Sequence, residues 1–126
     1  MGHGARTDRV GERIRAELSE LLLRRVREPA VDGVTITHVD VTRDLQTARV
    51  YYRVLAETAS RRDVARALRR AQGFLRRELG GRLRLRRIPD LRFLHDDSVE
   101  QQDRLVRLFD EIREPGTDPA EAEREA

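Results

Sequence analysis

The chain has 126 residues, of which 38% are apolar and 39% charged, enough for one modest two-layer core under an ionic surface. It has no Cys, so disulfides, thiolate metal sites and cysteine nucleophiles are excluded, and no apolar run reaches the length of a membrane span or a signal-peptide core. Its net charge of +3 is carried by 26 basic residues, every one of them arginine, whose planar donor fork suits phosphate recognition.

Residues 6–28 read as a helix, with Thr7 or Asp8 as N-cap and an apolar stripe of Val10, Ile14, Leu18, Leu21, Leu22 and Val26, ended by Pro29. Residues 33–42 read as a strand rich in Val, Thr and Ile. Its alternation slips between Ile36 and Val39, which either a bulge near Thr37-His38 or a strand partly covered on both sides would explain. The segment from Arg43 to Gln46 is a turn. Ala48, Val50, Tyr52 and Val54 then alternate with Arg49, Tyr51 and Arg53, a half-buried strand with a basic outer face, so the two strands form an antiparallel hairpin.

Ser60, with Asp63 three residues on, begins a second helix whose stripe is Val64, Leu68 and Ala71. Gly73 is expected to interrupt it, the pattern resumes at Leu75 and Leu79, and Gly80-Gly81 is expected to stop it. Residues 84–94 read as a third strand, at an edge or bulged because of Pro89. Ser98 is expected to cap a last amphipathic helix carrying Val99, Leu105, Leu108, Phe109 and Ile112. Residues 1–5 and the acidic stretch 114–126 are expected to be disordered, flanking one domain at 6–113.

Charge is unevenly distributed. Between Arg61 and Arg92 twelve arginines face three acids, a net +9, whereas from Asp110 onward seven acids face two arginines, a net −5. A concentrated basic segment in a small domain points to a polyanionic partner. The histidines, His3, His38 and His95, are scattered, and no Walker loop, GxGxxG or nucleophile elbow is present. His95-Asp96-Asp97 reads as a polar turn before a helix cap. The expectation is therefore a non-catalytic binder without metal or cofactor.

The order helix, strand, strand, helix, interrupted helix, strand is that of a type II KH domain, an α+β RNA-binding fold. A KH domain normally carries a GxxG loop between its paired helices. This chain has none, and Ala71-Gln72-Gly73 stands there instead. A kink at Ala71, Gln72 and Gly73 would present a second helix N-terminus toward phosphate, and a Gly tolerated within one continuous helix, at about 1 kcal/mol against Ala, is the equal alternative on the residues alone. The residues expected to contact RNA are Arg43, Arg66, Arg69, Arg70, Gln72, Gly73, Arg76, Arg77, Arg84, Arg86 and Arg87.

The chain resembles the bacterial ribosome-binding factor A family. The likeness is carried by Arg9-Val10, Arg27-Glu28-Pro29, Val34-Thr35-Ile36-Thr37-His38-Val39, Thr42-Arg43-Asp44-Leu45 and Ala48-Arg49-Val50-Tyr51. It continues through Ala71-Gln72-Gly73-Phe74-Leu75-Arg76, Leu85-Arg86-Arg87-Ile88-Pro89, Leu91-Arg92-Phe93 and Asp96-Asp97-Ser98, in order and at consistent spacing. The resemblance implies a KH-like fold with an Ala-x-Gly kink in place of GxxG. It also implies a cytoplasmic, monomeric factor that binds the free or immature 30S small subunit, assists 16S rRNA maturation including 5′-end processing, and matters most in the cold. Two departures are a short loop between Leu55 and Ser60 and the acidic end, onto which no family role is carried. Rival readings are a generic single-stranded RNA-binding KH-type protein, a nuclease or RNA-modifying enzyme, and a protein–protein adaptor.

Overall fold

The computed structural model describes residues 4–55 and 59–113, so 1–3 and the acidic stretch 114–126, expected above to be disordered, and most of the loop between Leu55 and Ser60 lie outside the described residues, whereas Ala5, also expected to be disordered, begins the first helix. The elements run α1 (Ala5–Arg24), a 3-10 turn (Pro29–Val31), β1 (Val34–Val41), β2 (Thr47–Val54), α2 (Arg61–Leu83), β3 (Asp90–His95) and α3 (Ser98–Arg113). The chain divides into two compact units, Met1–His95 and Asp96–Ala126. None of its described helices is long and apolar enough to cross a membrane.

In the first unit the sheet has the order β1-β2-β3, with β1–β2 antiparallel and β2–β3 parallel, which is the KH-like arrangement. The expected bulge is present: register shifts between Ile36 and His38, so Ile36 faces Tyr52 and His38 faces Tyr51. The extra residue returns Val39 and Val41 to the face of Ile36. That face, with Ala48, Val50 and Leu91, packs on Ile14, Leu18 and Leu21 of α1 and Val64, Leu68, Leu75 and Leu79 of α2, all of them buried. Pro89, also fully buried, leads into β3, which lies at the sheet edge where a proline is tolerated.

Several boundaries differ from the sequence expectation. The N-cap of α1 is Gly4, and Thr7 is instead buried, its hydroxyl donating to the Gly4 carbonyl at 2.8 Å. The helix ends at Arg24, short of the expected Glu28; Glu28 itself, ahead of Pro29, is extended at φ −135° and ψ 112°. Residues 84–89 form a loop, and β3 starts only at Asp90.

The interruption expected at Gly73 is absent. α2 is one helix through Ala71, Gln72 and Gly73, and Gly73 has no positive φ. Ser60 caps it as expected, its hydroxyl accepting the Asp63 N–H at 3.1 Å. Nor does Gly80-Gly81 stop the helix. Burial of Leu79 and Leu83 carries it on, and Arg84 ends it in the left-handed conformation at φ 55°. A glycine is tolerated in a helix whose neighbours on both sides are held to the core. Gly73 is exposed, and an added Cβ would meet only the Arg77 guanidinium, at 3.8 Å. Gly73→Ala is therefore expected to stabilise the protein, by up to about 1 kcal/mol. A denaturant titration checks this, and a less stable variant would show that Gly73 needs its missing side chain.

In the second unit, α3 bears Val99, Leu105, Leu108, Phe109 and Ile112 as expected, and all five are exposed. The Ser98 N–H is taken by the Asp96 carboxylate at 2.9 Å, so Asp96, not Ser98, closes the turn before the helix.

Candidate nucleic-acid interface

The buried stripe of α2 fixes what its opposite side presents. With Val64, Ala67, Leu68, Leu75 and Leu79 inward, Arg62, Arg66, Arg69, Gly73 and Arg77 follow at steps of three and four on the exposed side, with Arg70 next to Arg69. The result is a line of guanidinium groups with a bare backbone position in its middle. α2 thus presents one continuous arginine stripe rather than a second helix N-terminus.

One flank of this stripe is an open groove between α2 and the edge strand β3. It measures about 440 Å³ and is lined by Arg69, Gln72, Asp90, Leu91, Arg92 and Phe93, among others. Gln72 crosses it, its amide donating to the Leu91 carbonyl at 2.7 Å, which ties the helix to the edge strand. On the other flank Glu28, Asp32 and Asp63 share a cleft with Arg66 and Arg70, and Arg70 pairs with Glu28 at 3.3 Å. Three carboxylates thus line that cleft, against Asp90 in the groove beside β3.

Not every expected contact residue is available to a ligand. The half-buried Arg76 donates to the Ile88 carbonyl at 2.8 Å and the Pro89 carbonyl at 3.2 Å, with Asp90 at 3.5 Å. Its guanidinium fastens the loop that enters β3. Arg82 joins α2 to α1 through Glu17 at 2.8 Å and Glu20 at 2.6 Å. Arg66, Arg69 and Arg77 have no ion-pair or hydrogen-bond partner among the described residues.

A second basic group lies at one end of the sheet. Arg84, Arg86 and Arg87 are exposed on the loop 84–89, and Arg43 is exposed in the β1–β2 turn. The two segments meet, since the Asp90 N–H bonds the Gln46 carbonyl at 2.9 Å. Within the turn, Leu45 adopts a left-handed φ of 62°. The Thr42 hydroxyl and the Gln46 N–H both donate to the Asp44 carboxylate. These bonds, Thr42 first, hold Asp44 below the usual carboxylate range, with a smaller contribution from the Arg87 charge.

The structure thus gathers Arg66, Arg69, Gln72, Gly73 and Arg77 on one surface, Arg43, Arg84, Arg86 and Arg87 on loops, and turns Arg70 and Arg76 toward intramolecular partners. Arg62 and Arg92 belong with the first group although motif reasoning passed over them. Arg62 continues the helical spacing of Arg66, and Arg92 follows the buried Leu91 on a strand, which turns it outward. Among the described residues no three metal-ligating side chains gather.

A KH-like α+β domain that lines an edge groove with an arginine-bearing helix belongs to the class of folds built for RNA. The family model described as "Ribosome-binding factor A" matches residues 6–109. A relative of that name from Pediococcus pentosaceus is 44% identical over 113 residues, covering 89% of this chain and 97% of the relative. One from Thioalkalivibrio sulfidiphilus is 46% identical over 106 residues, covering 84% and 82%. Among solved structures, the crystal structure of ribosome-binding factor A from Thermus thermophilus superposes with TM-score 0.64 at 26% identity, covering 71% of this chain and 94% of that one. A Thermus thermophilus model fitted into a cryo-EM map of a 30S complex with the factor gives 0.59 at 28% identity, covering 69% and 91%. This chain belongs to the ribosome-binding factor A family.

Proposed function

We propose that this chain binds the free or immature small ribosomal subunit and assists maturation of 16S rRNA, including processing of its 5′ end, without catalysing a reaction itself. The observation that carries the reading is the stripe of Arg66, Arg69 and Arg77 beside the α2–β3 groove, cations without protein partners among the described residues. The Thermus thermophilus relative fitted into a 30S complex supports the choice of partner. In this reading residues 6–113 act in the cytoplasm as a monomer without cofactor. Arg43, Arg84, Arg86 and Arg87 add peripheral phosphate contacts, and Arg70 and Arg76 act mainly through the fold. The need for the factor is greatest in the cold, when misfolded RNA structures persist longer.

Sedimentation of extract from cells expressing the tagged chain tests this. The chain is expected with free small subunits and absent from translating ribosomes, and the association weakens steeply as salt rises, because phosphate contacts release counterions. Binding that persists unchanged at high salt would point instead to a protein–protein adaptor.

A further inference from the structure

We propose that the face of the sheet turned away from α1 and α2 is a second RNA-contact surface, taking an unpaired stretch of nucleotides with one base stacked on Tyr51. This goes beyond the function proposed above, which rests on α2 and its groove.

The strand register sets out this face. Val50, Tyr52 and Leu91 are buried toward the helices, so Arg49, Tyr51 and Arg53 of the central strand point the other way. Tyr51 sits beside His38 on β1 and Leu94 on β3, and Arg49 sits beside Asp40 and Arg92. The Tyr51 and His38 rings are stacked, with centroids 6.0 Å apart and planes 28° from parallel. An aromatic pair of this kind on the open side of a sheet offers a flat platform that buries nothing of the core.

The charges around the platform select the occupant. Arg49 and Arg53 lie on either side of Tyr51, each two residues and roughly 7 Å along the strand. A base on the ring therefore leaves its flanking phosphates within reach of both. Arg49 and Arg92 are direct cross-strand neighbours, an arrangement of like charges that destabilises a sheet unless something compensates. Asp40 stands 3.5 Å from Arg49, but Arg92 has no ion-pair or hydrogen-bond partner among the described residues. Arg92 also lines the α2–β3 groove, so it links the two surfaces around the edge strand. A docked protein would need an apolar centre, and among the described residues Leu94 is the one large aliphatic side chain on this face. Cations around a ring pair fit a single strand, whose every base has a π-face. A duplex, with its bases paired and stacked, cannot use the platform.

The test is fluorescence anisotropy of the full chain with a labelled octauridylate, which has no secondary structure. Tyr51→Ala is expected to weaken octamer binding about tenfold in a chain that still melts cooperatively, slightly below wild type because the cross-strand ring pair is lost, and Tyr51→Phe to restore binding. Combining Arg49→Gln with Arg92→Gln should reduce the slope of log affinity against log salt by about 1.4, at about 0.7 for each phosphate contact on a single strand. Wild-type affinity in Tyr51→Ala overturns the proposal, as does an octamer released by Arg66→Ala and Arg69→Ala alone. Unchanged octamer binding with reduced subunit binding would assign the face to a ribosomal protein and overturn it equally. Because the octamer is assayed without ribosomes, a chain that fails to sediment with small subunits refutes the function above while leaving this measurement intact.

Discussion

Gly11→Ala is expected to destabilise the protein by about 2 kcal/mol and to lower its melting temperature by roughly 10 °C. Gly11 lies on the buried side of α1, one turn ahead of Ile14. An added Cβ would stand 2.7 Å from the carbonyl oxygen of Val39 and 3.7 Å from Val41 Cγ2. The first of these is a backbone atom just past the β1 bulge, in a strand paired residue by residue with β2, so it moves only if the strand moves. Relief requires α1 to lift from the sheet, and α1 brings Ile14, Leu18, Leu21 and Leu22 to the core. Against this stands the better helix propensity of alanine, worth about 1 kcal/mol. Overpacking usually costs about 1–3 kcal/mol, and a 2.7 Å contact with backbone belongs at the top of that range, which leaves a net loss of about 2 kcal/mol. Gly73→Ala, with the same propensity gain and open space around it, is the matched control. Thermal melts of the pair check the argument, and a Gly11→Ala variant that melts higher than wild type would mean α1 rides freely over β1.

The two glycines show which parts of this fold can be read from sequence. A glycine within a helical pattern looks the same whether it breaks the helix, marks a close approach or merely weakens it. What decides is the element packed across from it, which local spacing does not contain. The same limit explains Gly80-Gly81, overridden by the buried Leu79 and Leu83, and the late start of β3, where Arg76 bonds two carbonyls of the preceding loop. Signals written in periodicity came through. The parity change between Ile36 and Val39 located the bulge, alternation from Ala48 to Val54 located the outer face, and Ser60 with Asp63 located a helix start. At the candidate site the basic segment was legible, but its division was not. Whether an arginine faces solvent or an internal partner depends on residues far away in the chain, as Arg70 does on Glu28 and Arg82 on Glu17.

That division yields the largest expected effect on binding. Arg66, Arg69 and Arg77 are exposed, on one face of α2, and without ion-pair or hydrogen-bond partners among the described residues. Replacing all three by alanine should leave stability within about 0.5 kcal/mol per site, because exposed positions without partners contribute little to the fold. Binding to the small subunit should respond strongly. If each guanidinium neutralises one phosphate, the slope of log affinity against log salt should flatten by about 2 to 3 in all. At about 0.15 M salt this corresponds to roughly a hundredfold loss of affinity. The loss should shrink as salt approaches about 1 M, where counterion release no longer favours the complex. Arg82→Ala is the opposite case. It breaks the pairing of α2 with Glu17 and Glu20 of α1, so it should lower stability while leaving the salt slope as it was. Subunit-binding isotherms at several salt concentrations, together with thermal melts, separate the two classes of arginine. A triple variant that keeps the wild-type slope would remove the α2 stripe from the interface and shift the electrostatic contribution to Arg43, Arg86 and Arg87 at the end of the sheet.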